Sequence, residues 1–360
     1  MYTIEDLGYE ACFESDRARL GWDGFQMARV VAEQRGGYRV KSGSGDYLAK
    51  ITGKRIFEAA SRADYPAVGD WVALTVLDEE KAVIQGILPR KTVIQRKRVG
   101  KNETQTIAAN IDVAFVVESV DRDYSLNRFE RYFSLVRDGG AKCAIVLNKA
   151  DLLSPEESDL RIREIKDRFP DVDVISTSAC NATGLDELRR YIEKGKTYCF
   201  LGSSGVGKSS LINQLIGGDT IKVGDISVHA GRGKHVTTAR EMYFLENGGM
   251  VIDNPGMREI GMIEADAGVK DAFDDIIALA LQCRFSDCRH AEEPGCAVVA
   301  AVQSGTLSSE RCANYMSLKK ETEYFSMTER EKKNKSRQFG KFIKKAQEDL
   351  KRFKHKDYSE

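Results

Sequence analysis

The segment Asn148–Asp151 reads NKAD, and Gly202–Ser209 reads GSSGVGKS. The first is the form of a base-reading motif and the second that of a phosphate-binding loop. In ordinary GTPases the phosphate loop comes first and the base-reading motif follows. Here that order is reversed with both motifs intact, which predicts a circularly permuted GTP-binding domain. No other feature of the chain restricts the fold as strongly, because both motifs work only at the carboxyl ends of strands in one parallel sheet.

The flanking sequence supplies that sheet. IDVAFVVES reads as a buried strand, LNRFERYFSLVRD as an amphipathic helix, and AKCAIVLN as a second strand ending in NKAD. Pro155–Phe169 is predicted helical, DVDVISTS extended and Gly184–Lys194 helical, and TYCFLG is a strand that runs into the phosphate loop. Lys208–Ile216 then continues as a helix, and MYFL and GMVID are two further strands. Such alternation predicts a mainly parallel α/β sheet covered on both faces.

Before this region the rhythm differs. GYRVKSG, DYLAKITGKRI, GDWVALTVLD and KAVIQGILP are short apolar runs broken by glycines. They suggest a small OB-like β-barrel, a fold that often binds oligonucleotides. From about Ala265 the chain is helical and charged. The expected units are an OB-fold RNA-binding domain over 1–100, a permuted GTPase domain over 101–264, and a mainly helical zinc-binding domain with a basic tail over 265–360.

Within the nucleotide site, glycines let backbone N–H groups curl around phosphate oxygens without Cβ clashes. The cradle comprises Gly202, Ser203, Ser204, Gly205, Val206, Gly207, Lys208, Ser209 and Ser210. Lys208 supplies a charge between the β- and γ-phosphates, and Ser209 offers a hydroxyl to Mg²⁺. The Asp151 carboxylate, acceptor-only, can take the N1–H and 2-amino protons of guanine, which adenine cannot offer. Asn148 can bridge base and phosphate loop, and Lys149 can lay its stem along the ring. Ser178 and Ala179, in STSA, resemble a backbone clamp on the guanine carbonyl. In DNPG, Asp253 is placed to hold Mg²⁺ through water, and the Gly256 N–H to sense the γ-phosphate. Between these motifs, Gly231–Glu241 carries Thr237 and Thr238, either of which can meet Mg²⁺ through its hydroxyl. Met257 occupies the place where many GTPases carry a water-orienting glutamine. His235 is then the candidate for positioning water, unless it only contacts a partner. Slow intrinsic hydrolysis, accelerated when a partner orders this loop, is expected.

The segment CRFSDCRHAEEPGC brings Cys283, Cys288, His290 and Cys296 within fourteen residues. Three thiolates and one imidazole suit a closed, tetrahedral, structural Zn²⁺ site. Cys312 is an alternative ligand, and Cys12, Cys143, Cys180 and Cys199 read as apolar fillers. The acidic N-terminus has no signal-peptide core, and no apolar run is long enough to span a bilayer, so a cytosolic protein without a membrane partner is expected. Basic and acidic residues cancel, 55 against 55. Yet Lys332–Lys356 holds eleven Lys/Arg and two acidic residues, which suits a polyanion such as RNA or a solvated helix surface.

Taken together, YPAVGDW, AANID, the permuted motif order, GRGKHVTT, DNPG and the Cys/Cys/His/Cys cluster resemble the ribosome small-subunit-dependent GTPases, the RsgA/YjeQ family. The resemblance covers nearly the whole chain. It implies an OB fold, a permuted GTPase and a zinc domain. It also implies binding to the small ribosomal subunit, GTP hydrolysis stimulated by that subunit, and a role in its late maturation; 16S rRNA as a contact and a monomeric state are expected beside this. His235 matches the family's switch histidine. Val236 departs from the threonine-rich run usual there, which leaves Thr237 and Thr238 both open as Mg²⁺ ligands. Two other readings remain, a non-catalytic RNA-binding scaffold with GTP as a structural ligand, which Met257 favours, and a GTPase acting on another RNA or in metal delivery.

Overall fold

The computed structural model describes residues 2–327 except 35, 54–60, 98–103, 122–123, 219, 222–239, 255–271, 286 and 292, together with 331 and 337. Helix α1 spans Ala11–Arg19. Strands β1 (Gln26–Gln34), β2 (Gly37–Ser42), β3 (Gly45–Ile51), β4 (Trp71–Val76) and β5 (Lys81–Ile87) follow. Their order is β1-β2-β3-β5-β4, and β4 returns to pair with β1, which closes a five-stranded barrel. β2 and β3 alternate as half-buried strands should, placing Tyr38, Val40, Tyr47 and Ala49 in the barrel core. β1 does not alternate, because both its faces are covered. Ala28 and Val30 point into the barrel core, whereas Met27 and Val31 join clusters outside it.

The strand-only reading of the first hundred residues omits α1. Its helical stripe is thin, since Phe13 is its single buried residue. Phe13 and Tyr9 pack against Trp71 at ring-centroid distances of 5.9 and 4.8 Å, so α1 forms by tertiary contact more than by its own pattern. A hairpin of β6 (Val93–Lys97) and β7 (Thr104–Ala109), also not anticipated, leads from the barrel into the next unit.

The second unit is an α/β layer. Strands β8 (Val113–Ser119), β9 (Lys142–Asn148), β10 (Asp173–Ser176), β11 (Thr197–Leu201), β12 (Glu241–Phe244) and β13 (Met250–Asp253) lie in the order β10-β9-β8-β11-β13-β12. All neighbours are parallel except β12 and β13. Successive strand residues divide between two cores. Ala114, Val116, Ile145 and Leu147 face helices α2 (Leu126–Asp138) and α3 (Pro155–Arg168). Phe115, Val117, Ala144 and Val146 face helices α4 (Leu185–Tyr191) and α5 (Lys208–Ile216). The period-2 split shows directly why these strands read as continuous apolar runs. Beyond the sequence reading, β12 also pairs antiparallel with β1 through Ala32 and Glu241, so barrel and α/β layer share one eleven-stranded sheet.

Among the described residues, the third unit consists of α6 (Asp274–Ala280), α7 (Ala297–Gln303) and α8 (Ser309–Ser326) around their own core. It meets the α/β layer through polar groups on α2. The buried Glu130 carboxylate accepts from Arg168 of α3 at 2.9 Å and from Arg311 and Asn314 of α8. Asn127 donates to Glu310 at 2.9 Å, and Arg131 pairs with Glu321 at 2.6 Å. Residues 127, 130 and 131 share one helical face, while Phe129, Tyr132, Phe133 and Val136 on the other face enter the sheet core.

Candidate nucleotide and metal sites

Reversal of the two motifs in sequence does not separate them in space. β11 sits beside β8, and β8 beside β9, so the loop after β11 and the tetrapeptide closing β9 emerge at the same sheet end. Loop 202–207 then turns into α5, whose first N–H groups have no acceptor within the helix, a geometry suited to an anion. Two glycines are sterically required. At Gly202 (φ 148°) an added Cβ would lie 2.2 Å from the Val117 carbonyl oxygen, and at Gly207 (φ 96°) 2.2 Å from Asn148 Nδ2.

Asn148 is the stitch between the motifs. Its Nδ2 donates to the Val206 carbonyl at 2.8 Å, and its Oδ1 accepts from Thr177 Oγ1 at 3.2 Å and the Ala179 N–H at 3.3 Å. The buried carboxamide therefore ties phosphate loop, base-reading strand and STSA loop together. Thr177 belongs to STSA, and nothing in the sequence marks it as a partner of Asn148. Ser178 donates its hydroxyl to the exposed Asp151 carboxylate and accepts from the N–H groups of Cys180 and Asn181 at 3.2 and 3.3 Å. Lys149 has left-handed backbone angles, and its ammonium lies 2.8 Å from the Asp121 carboxylate.

Lys208 is buried, and its Nζ donates to the carbonyls of Gly202 at 2.8 Å and Ser203 at 2.7 Å. Burial pushes its ammonium down to about 8, with Asp253 pulling the other way. Opposite, burial raises the Asp253 carboxyl, while Lys208 and the Ser209 hydroxyl, donating at 3.3 Å, oppose the rise. Among the described residues, Asp253 Oδ1 is buried without a hydrogen-bond partner. An orphaned carboxylate oxygen beside a serine hydroxyl, at the mouth of a phosphate-type loop, is the donor set a hydrated Mg²⁺ takes. Ser203, Ser204 and Ser210 lie in or beside the loop, partly exposed, while Gly205 is exposed and Val206 buried. His235, Thr237, Thr238, Gly256 and Met257 lie outside the described residues.

The second cluster lies between α6 and α7. The ligand atoms of Cys283, Cys288, His290 and Cys296 all fall within 4.8 Å of one another. His290 Nδ1 is 3.6 Å from Cys283 Sγ and 3.5 Å from Cys296 Sγ, and those two sulfurs are 3.8 Å apart. Zn–S and Zn–N bonds of ~2.3 and ~2.0 Å in a tetrahedron give edges of ~3.8 Å for S···S and ~3.5 Å for S···N, so Cys283, His290 and Cys296 sit at zinc-ligand spacing, with the Cys288 thiol within 4.8 Å of each. Burial resists ionisation of Cys283, but the N–H groups of Ala297 and Val298, at the start of α7, bring its thiol below the ordinary value. Burial, followed by the Lys319 charge, keeps His290 below the usual histidine range, which favours the neutral, ligating form. Cys312 stands outside this set, partly buried against the same apolar cluster. Two of the cysteines read as fillers are not, since Cys12 and Cys180 are exposed, whereas Cys199 is buried and Cys143 half-buried. A helix face and a loop tip carry these two thiols outward, which residue type alone does not show.

The sequence matches the family described as RsgA GTPase over residues 87–263. A protein from Lactiplantibacillus plantarum, named small ribosomal subunit biogenesis GTPase RsgA 2, is 42% identical over 305 residues, covering 85% of this chain and 86% of that protein. A protein of the same name from Vibrio vulnificus is 36% identical over 354 residues, 98% of this chain and 97% of its own length. The crystal structure of YjeQ from Thermotoga maritima is similar with a TM-score of 0.60 at 28% identity, covering 84% of this chain and 99% of that one.

Proposed function

The chain belongs to the RsgA GTPase family, and from that premise we propose that it hydrolyses GTP as a late assembly factor of the small ribosomal subunit. The observation that carries this is the Asn148 stitch, with its Nδ2 2.8 Å from the Val206 carbonyl. It supports a single site shared by a guanine-reading motif and a phosphate loop that are inverted in sequence. In this reading Asp151 accepts from guanine, with the Ser178 hydroxyl steadying its carboxylate. The Ala179 backbone faces the guanine carbonyl. Lys208 exchanges its two carbonyl partners for phosphate oxygens, while N–H groups of the loop and of α5 take the remaining phosphate oxygens.

Ser209 and Asp253 would hold Mg²⁺, with Thr237 or Thr238, and the ion would offset charge developing on the phosphates. His235 positions water, and Gly256 senses the γ-phosphate. Cys283, Cys288, His290 and Cys296 hold a structural zinc that stabilises the α6–α8 unit. The division into 1–100, 101–264 and 265–360 belongs to this proposal, as do action in the cytoplasm and as a monomer. No helix among the described residues is long and apolar enough to cross a membrane. The partner is the small ribosomal subunit and its 16S rRNA, gripped by the barrel, the zinc-binding unit and the basic run Lys332–Lys356, mostly through phosphates.

GTP turnover alone and with isolated small subunits, large subunits or free rRNA tests the proposal. Slow basal hydrolysis, strongly raised by small subunits alone, is expected. Equal rates with and without small subunits would refute subunit-dependent action.

A further inference from the structure

The lysine of the base-reading tetrapeptide is held from outside the motif. Lys149 sits just past the end of β9 at φ 63° and ψ 34°, a left-handed conformation that a residue with a Cβ seldom adopts. Its ammonium meets Asp121 Oδ2 at 2.8 Å, and Asp121 Oδ1 accepts the Ser119 hydroxyl at 2.6 Å. Ser119 closes β8, where it is the register partner of Asn148. The chain Ser119–Asp121–Lys149 thus runs from the tip of one strand to the tip of its neighbour, alongside the Asn148 stitch. Asp121 belongs to none of the motifs that read or hold a nucleotide.

We infer that Asp121 is a positioning residue for guanine-nucleotide binding, which fixes the Lys149 side chain before the base arrives. This rests on the reading of Asn148–Asp151 as the base-contacting segment. A lysine stem that packs along a purine ring must give up its rotamer freedom, and in a loose side chain that entropy is lost on binding. Held by Asp121, Lys149 loses it on folding, and the base meets an ordered stem. The effect belongs to the base and not to the phosphates, so GTP and GDP share it and the chemical step does not. Side-chain exposures of 25% and 33% for Lys149 and Asp121 leave the pair open to screening by salt and give it little weight in overall stability.

The test measures GDP affinity and steady-state GTP kinetics for the full chain and for Asp121→Asn, Asp121→Glu, Lys149→Met and the Asp121→Asn/Lys149→Met double variant. Methionine keeps an apolar stem and removes the charge that Asp121 holds. Asp121→Asn should raise the GDP Kd and the GTP KM roughly three- to tenfold with kcat unchanged. Asp121→Glu should recover most of the loss, and added salt should narrow the gap to the unmodified protein. Inorganic triphosphate, which has no base, should bind all variants alike. In the Lys149→Met background the Asp121 change should do nothing further, because the two residues act as one unit. The inference is overturned if Asp121→Asn binds GDP like the unmodified protein, or if it costs as much in the Lys149→Met background as alone. If the unmodified protein binds guanine nucleotides no better than adenine nucleotides, the base-reading assignment itself fails, and the role of Asp121 fails with it.

Discussion

Replacing Glu130 with glutamine tests how the helical unit is fastened to the α/β layer. Glu130 Oε1 accepts from Arg168 and Arg311, and Oε2 from Asn314. Each arginine keeps a second anchor in the variant. Arg168 bonds Asn127 Oδ1 at 2.7 Å, and Arg311 bonds the Asp275 carboxylate at 2.9 Å through both Nε and Nη2. Glutamine fills the same volume, and a flip of the Asn314 amide restores a neutral bond on that side in exchange for its long 3.4 Å bond to the Asn127 carbonyl. The main loss is therefore the charge in two guanidinium bonds. Charge-assisted bonds contribute about 1.5–3 kcal/mol and neutral ones about 1. Removing the charge should thus cost on the order of 2 kcal/mol. Glu130→Ala removes the bonds themselves as well as the charge, leaving Arg168 with Asn127 and Arg311 with Asp275, and should cost more, about 3 kcal/mol. For a cooperative unit of this size, 2 kcal/mol lowers Tm by about 4–8 °C. Because the network is buried, the drop should persist in high salt, which would abolish a surface effect. Thermal unfolding followed by calorimetry reads it. A Tm unchanged within about 1 °C for both variants would refute the reasoning, since a fully buried carboxylate with these partners cannot be lost at so little cost.

The depressed Lys208 value sets the sign of a pH effect. Nucleotide-free Lys208 titrates at about 8, below the ordinary 10.5, and phosphate needs it charged. The free protein therefore loses this proton first as pH rises, binding must take one up, and GDP affinity should fall about tenfold between pH 7 and 9. Titration with a fluorescent GDP analogue measures this, and a flat profile would show that Lys208 stays charged without ligand. In the helical unit, Cys288→Ser should release about one equivalent of zinc and unfold α6–α8, whose core contains Cys288 and Cys296. Atomic absorption on the purified variant decides, and retention of tightly bound zinc would reassign the ligands.

Much of the α/β layer was legible because its signals are local. The helices Leu126–Asp138 and Lys208–Ile216 match their sequence reading to the residue, since an apolar stripe in one and a glycine-rich start in the other lie within a few positions of chain. The four members of the Cys/His cluster could be named for the same reason, fourteen residues being a short enough span for the ligands to meet. Helix Ala11–Arg19 was not legible, because a single buried phenylalanine makes no periodic pattern. The exposure of Cys12 and Cys180 was not legible, because a thiol's burial is set by how the element carrying it packs.

By itself, then, the sequence determined the inverted motif order, the strand–helix alternation, the barrel-like run of short strands and the candidate metal ligands. All are encoded in the spacing of near neighbours. Tertiary structure alone decided that β12 continues into the barrel through Ala32 and Glu241, that Glu130 gathers Arg168, Arg311 and Asn314, and that Asp121 reaches Lys149. These contacts join residues tens to hundreds of positions apart. A carboxylate's partner at that range is set by which strand tips and helix faces the packed sheet brings together, and no local pattern in the chain records it.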